Sequence, residues 1–423
     1  MSKLNHALPG SDDITRVELK NGITVLCREN FNSPSVAVRG YFWSGSLFDP
    51  REKLGLADFT ANSLMHGAQK RDFQGIYDAL ESVGASFWFS SQVHSVGFGG
   101  RSLAEDLPLL LDVLSDSLRE PTFPEEHIER LRAQYMTGFD LRAQDTRDMA
   151  EQVFDEILYA GHPYALPDDG TPETIRLLNR ADMVNFHRDV YGPHEMVIVV
   201  VGAVSADTAI KQIEQYLGDW ENPRQPGKPT VPEMEPLATR IQRHHTIAGK
   251  TQADLMLGFL GPKRRDDDYF AASLGNSILG LFGMMGRIGD VVREREGLAY
   301  YARSALSAGT GPGAWYVYAG VNPDNLEKAI DLILEELEKF ATHGVTEEEL
   351  ADNKANYIGR LPLSLESNQG VANSLIGIER NQLGLDYLRN YADIVNAVTR
   401  EDILAVAQKY VELERVAIAT AGP

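Results

Sequence analysis

RSLAEDLPLLLDVLSDSLREPTFPEEHIERLRAQYM, Arg101–Met136, has an echo far downstream in NPDNLEKAIDLILEELEKFATHGVTEEELADNKANYI, Asn322–Ile358. Each stretch opens with apolar residues at three-and-four spacing, as at Leu326, Ile330, Ile333 and Leu334, which predicts an amphipathic helix. Each then turns and starts a second helix, at Pro124-Glu125-Glu126 and at Thr346-Glu347-Glu348-Glu349. Acidic residues suit the positive end of a helix dipole, and Thr346 with Glu349 matches a capping box.

The flanks repeat as well. NRADMVNFHRDVYGPHEMVIVVVGAV (Asn179–Val204) parallels TREDILAVAQKYVELERVAIATAGP (Thr399–Pro423), each reading as helix, turn and buried strand. SVAVRGYFWSGS from Ser35 matches ADLMLGFLGP from Ala253 as strand-like runs ahead of the paired helices. The pattern predicts an α+β fold of two homologous repeats, each a mainly antiparallel sheet covered by helices. A period of roughly 200 residues means duplication, not a short-repeat solenoid. The repeats are placed at residues 1–222 and 241–423. Between them, at 223–240, lies the heart of a proline-rich linker, ENPRQPGKPTVPEMEP (Glu221–Pro236).

Composition narrows the function. The 423 residues are 43% hydrophobic and 24% charged, as in ordinary globular proteins with more than one core. Lys and Arg total 40 against 61 Asp and Glu, a formal net charge of −21, which argues against a nucleic-acid partner. Cys27 is the only cysteine, so an internal disulfide and a thiolate zinc site are both excluded. No apolar run is long enough for a membrane span. The N-terminal MSKLNHALPGSDDIT has no apolar h-region, so the expectation is a cytoplasmic chain, or a periplasmic one if a signal has been removed.

Two further stretches carry chemistry. In GLADFTANSLMHGAQ (Gly55–Gln69), Asp58, Asn62 and His66 fall four residues apart, on one face of a helix. Asn is a poor zinc ligand and three contacts up one helix converge badly, so the plain reading is an amphipathic helix. Neither His244-His245 nor His162 offers a better cluster. In LGLFGMMGRIGDVVREREGLAYYARSALSAG (Leu279–Gly309), Gly280, Gly283, Gly286 and Gly289 match a dinucleotide fingerprint only loosely. Arg293 and Tyr300 stand seven residues apart around Gly297.

The layout of Tyr41–Ser86 (YFWSGSLFDPREKLGLADFTANSLMHGAQKRDFQGIYDALESVGAS), followed by that of Leu279–Gly309, resembles the pitrilysin/insulinase-type zinc peptidases. The similarity extends over nearly the whole length, toward the branch that includes mitochondrial processing peptidase. The resemblance implies a two-repeat half-clamshell. Active members carry His-x-x-Glu-His just after Gly-Leu-Ala, the two His binding zinc and the Glu acting as general base. Here those positions read Asp58, Ala61 and Asn62. The third family ligand, a Glu, falls at Thr137 or Gly138, with Asp140 nearby. The expectation is therefore no metal and no cofactor in this chain.

The resemblance also gives roles to the surviving residues. Arg293 and Tyr300 match the Arg/Tyr pair that active members direct at the substrate, and Gly280 and Gly283 match a Gly-rich loop that touches substrate. The edge stretch VGASFWFSSQ (Val83–Gln92) has Trp88 and Phe89 where the family has Asn-Ala, so this edge is expected to have become core or interface. The implied function is the non-zinc subunit of a heterodimeric metallopeptidase, acting on peptides or unfolded polypeptide. Its homologous partner would bear the zinc. The alternative is an inactive scaffold subunit resembling the core proteins of respiratory complex III.

Overall fold

The computed structural model describes residues 8–423, which form two compact units. The first holds a six-stranded sheet of β1 (Thr15–Glu18), β2 (Thr24–Glu29), β3 (Ser35–Phe42), β4 (Ser86–Ser91), β5 (Val96–Leu103) and β6 (Val197–Gly202). Its order is β1-β2-β6-β3-β5-β4, with only β2 and β6 parallel. The second holds β7 (Ile241–Thr246), β8 (Ala253–Gly261), β9 (Ala299–Ser307), β10 (Gly313–Val321) and β11 (Ala417–Gly422). Its order is β7-β11-β8-β10-β9, with only β7 and β11 parallel. Apart from β1, the two orders are the same, so the duplication legible in the sequence is a duplication of topology.

The helix signals hold at the predicted places. The Glu347–Ser364 helix starts at a closed capping box, Glu349 N donating to Thr346 Oγ1 at 3.2 Å and Thr346 N to Glu349 Oε2 at 2.8 Å. Matching boxes, Asn179 with Asp182 and Thr399 with Asp402, open the helices that lead into β6 and β11. Residues 221–240 contain no helix or strand.

Both faces of each sheet are apolar, so each needs two layers of cover. In the first unit the Leu107–Arg119 and Ala206–Leu217 helices contact β5 and β2. Leu26, Ala37, Tyr41, Val197, Val199 and Val201 instead meet Val371, Ala372, Leu375 and Ile378 of the Asn368–Asn381 helix, which comes from the second repeat. In the second unit, Leu255, Leu257, Trp315, Val317 and Ile418 pack on helices of their own repeat. Ala417, Ala419 and Ala421, alternating along β11, give the opposite face a smooth floor. There the Thr146–Leu158 helix, from the first repeat, packs through Ala150, Val153, Phe154 and Ile157. Each compact unit is thus closed by a helix from the other repeat.

This exchange predicts that neither repeat folds alone. Fragments 1–222 and 241–423 expressed separately should lack a cooperative unfolding transition and bind a hydrophobic dye, and co-expression should restore the transition. Cooperative unfolding of either fragment by itself would contradict the packing argument.

Candidate functional site

The Leu56–Ser63 helix begins at Gly55, whose φ of 86° is a left-handed conformation that favours glycine. Asp49 fixes that start, accepting from Gly55 N and Ala57 N at 2.8 Å each. Leu56, Ala57, Phe59, Thr60, Ala61 and Ser63 are buried, leaving Asp58 and Asn62 on the half-buried face. Asn62 Nδ2 donates to Asp58 Oδ1 at 3.1 Å and to the Tyr135 hydroxyl at 2.7 Å. Tyr135, on the Glu125–Arg142 helix, donates in turn to the other oxygen of Asp58. Its ring stands edge-on to Phe59, with centroids 5.3 Å apart. The three polar groups thus form a closed hydrogen-bonded ring.

Tyr135 is the residue that spacing missed. The expected third positions, Thr137 and Gly138, are exposed: Thr137 bonds back to Ala133 O at 3.0 Å, and nothing lies near Gly138. Asp140 is exposed too. Tyr135 precedes Gly138 by about one helical turn and so shares its face. His66 does not join Asp58 and Asn62; its ring stacks on His127 at 5.3 Å and lies 5.7 Å from Phe73. Burial, with His127 and Arg130 adding to it, pulls His66 down to about 4. His244 pairs with Thr420 and His162 with the carbonyl of Pro232.

A carboxylate, an amide and a phenol, already bonded to one another, do not make a zinc site, which takes imidazole, thiolate and carboxylate donors. Ala61, 1% exposed, supplies no base. Among the described residues no three His, Cys, Asp or Glu side chains group to hold a metal ion. Burial instead pushes the Asp49 carboxyl up to about 7 and the Asp58 carboxyl up to about 6, the latter also facing Asp168 and Asp169. The ring's own donors, Asn62 and Tyr135, oppose that rise, and burial outweighs them.

The second stretch is irregular at each residue of interest. Arg293 lies in a π-helical turn, Asp290–Arg295, in which Glu296 N reaches back to Val291 O. Such widened turns recur at functional sites. Its guanidinium is half-exposed, 3.9 Å from Met285 Sδ and 3.7 Å from the Glu294 carboxylate. Gly297, with φ of 64°, then turns the chain into β9, the last strand of its sheet. Tyr301 pairs with Gly320 and Ala299 with Val321, so Tyr300 is the extra residue of a β-bulge. It is 66% exposed.

The glycines divide by role. A Cβ on Gly280 would lie 2.1 Å from Ser304 N, so Gly280 lets its helix close against β9. Gly283 has open space around it and a φ of 67°. Residues 283–286 leave helical geometry altogether and carry Met284 outward, beside exposed Leu281 and Phe282. Arg287 anchors the end of this loop through two bonds to Glu349, at 2.7 and 2.6 Å. On the first sheet β4 remains the edge strand. Phe87 and Phe89 turn inward against Phe98, whereas Trp88 is 43% exposed over Arg39. Of the two aromatics, Phe89 has become core, and Trp88 stays accessible on the edge strand.

A duplicated α+β chain with this degenerate motif and this Arg/Tyr stretch falls in the class of inverted-motif peptidases. Residues 24–167 match "Insulinase (Peptidase family M16)" and residues 177–357 match "Peptidase M16 inactive domain". The chain belongs to peptidase family M16. It is 26% identical to an uncharacterized zinc protease of Streptomyces coelicolor, over 98% of this chain and 90% of that one. It is 25% identical to the β subunit of mitochondrial-processing peptidase from Neurospora crassa, over 96% and 87%. The crystal structure of a peptidase M16 inactive domain from Pseudomonas fluorescens superposes with a TM-score of 0.90 at 27% identity, covering 97% and 98%.

The Asp58 carboxyl makes a pH prediction. Its folded value of about 6 is above its usual 3.8, so its stabilising contribution is full below pH 3.8 and is lost as pH rises through 6. Relative to Asp58→Asn, the wild-type chain should lose on the order of 3 kcal/mol of unfolding free energy between pH 4 and 7. Urea unfolding of both chains across that range checks this, and a pH-independent difference would refute it.

Proposed function

We propose that this chain is the subunit of a heterodimeric zinc peptidase that binds no zinc itself. The observation that carries the reading is the closed Asp58–Asn62–Tyr135 ring, in a chain whose Tyr300 is bulged outward at a sheet edge. The partner is a homologous chain with an intact His-x-x-Glu-His, and it supplies the hydrolytic metal.

This chain's own groups have two tasks. The Tyr300 phenol donates a hydrogen bond to the oxygen of the scissile carbonyl as charge develops there. The Arg293 guanidinium holds a peptide carbonyl or carboxylate and fixes the direction of the substrate. Leu281, Phe282 and Met284 give the Gly-rich loop an exposed apolar surface suited to unfolded segments rather than folded domains.

Reconstitution with the zinc-bearing homologue tests the proposal. The pair should cleave peptides in a chelator-sensitive way, and each chain alone should be inactive. Tyr300→Phe in this chain should lower the pair's kcat by about a hundred-fold. Unchanged turnover would favour the scaffold role instead, and chelator-sensitive cleavage by this chain alone would refute both.

A further inference from the structure

Asp254 of β8, Gly320 of β10 and Tyr301 of β9 lie in one row across the second sheet. Gly320 carries no side chain between them. A Cβ there would come within 2.7 Å of Tyr301 Cε1 and 3.0 Å of Asp254 Oδ1. Across that gap the Tyr301 hydroxyl donates to Asp254 Oδ1. Asp254, only 2% exposed, also accepts from Thr146 Oγ1 at 2.5 Å and Gln252 Nε2 at 2.9 Å. The Arg147 guanidinium caps the rings of Tyr301 and Tyr318, at 5.9 and 4.8 Å.

The row stands beside the bulge. Ala299 and Ala302 both pack on the same core, although three residues apart. Period-two alternation cannot do that unless one residue between them is extra. With two adjacent tyrosines, either could be the extra one on sequence grounds. The Asp254 acceptor distinguishes them, because only the residue opposite Gly320 reaches it.

We infer that Tyr301 and Asp254 are positioning residues that fix the bulge at Tyr300 and so hold the Tyr300 phenol outside the sheet. The inference rests on the functional reading of Tyr300 for its consequence in catalysis, but not for its geometry. Burial and the bond to Asp254 both raise the Tyr301 phenol's pKa, which keeps it a donor at ordinary pH. Gly320 is the third part of the device, since any side chain there would occupy the space of the bond.

The test uses Tyr301→Phe, which keeps the ring, and Asp254→Asn, which keeps the shape but only one acceptor oxygen. In the isolated full chain, amide exchange of the peptide spanning 298–302 should quicken by up to about ten-fold in Tyr301→Phe, the factor expected for losing one buried hydrogen bond. It should quicken in Asp254→Asn as well, because the amide has one acceptor oxygen for the three donors Tyr301, Thr146 and Gln252. In the reconstituted pair, Tyr301→Phe and Asp254→Asn should each lower kcat by up to about ten-fold with KM nearly unchanged. Unchanged exchange in Tyr301→Phe would overturn the assignment. Faster exchange combined with full activity of both Tyr300→Phe and Tyr301→Phe would leave the bulge assignment standing and sink the catalytic reading of Tyr300.

Discussion

A β-sheet that is apolar on both faces must be covered on both, and this constraint shapes the whole chain. Each repeat supplies one layer of helices to its own sheet and leaves the other face bare. The Asn368–Asn381 and Thr146–Leu158 helices fill those two vacancies in exchange. The duplication therefore does not produce two independent domains. It produces two compact units, each made from parts of both halves.

The polar face of the Leu56–Ser63 helix is closed in a different way. Empty space or unpaired polar groups on a partly buried helix face are both unfavourable. Asp58, Asn62 and Tyr135 fill the face and satisfy one another, and Phe59 packs against the phenol ring. The opposite treatment is seen in the second unit. There the chain departs from regular structure twice within ten residues, with a π-helical turn at Arg293 and a bulge at Tyr300. Both departures lie next to accessible side chains, and widened turns and bulges of this kind recur at functional sites.

Much of this was legible in the sequence, for physical reasons. Capping residues such as Thr346 with Glu349 act over three residues and are read locally, and so are the matched helix–strand ends. Asp58 and Asn62 share a helix face because their spacing fixes it. The exchanged helices were not legible, since periodicity shows that a helix has an apolar face but not which sheet it covers. Tyr135 was hidden by a register offset of about one turn, which leaves the face unchanged while altering the residue. The bulge at Tyr300 left only a parity clue, Ala299 and Ala302 both facing one core.

The central claim is that the first unit's motif has been converted from a metal site into a packed hydrogen-bonded ring. Its most direct test is the zinc content of the untagged, purified chain after equilibration with micromolar zinc and gel filtration. The closed ring predicts well under about a tenth of an equivalent, because none of its three members is an imidazole or a thiolate. Close to one equivalent, abolished by Asp58→Ala, would contradict the account.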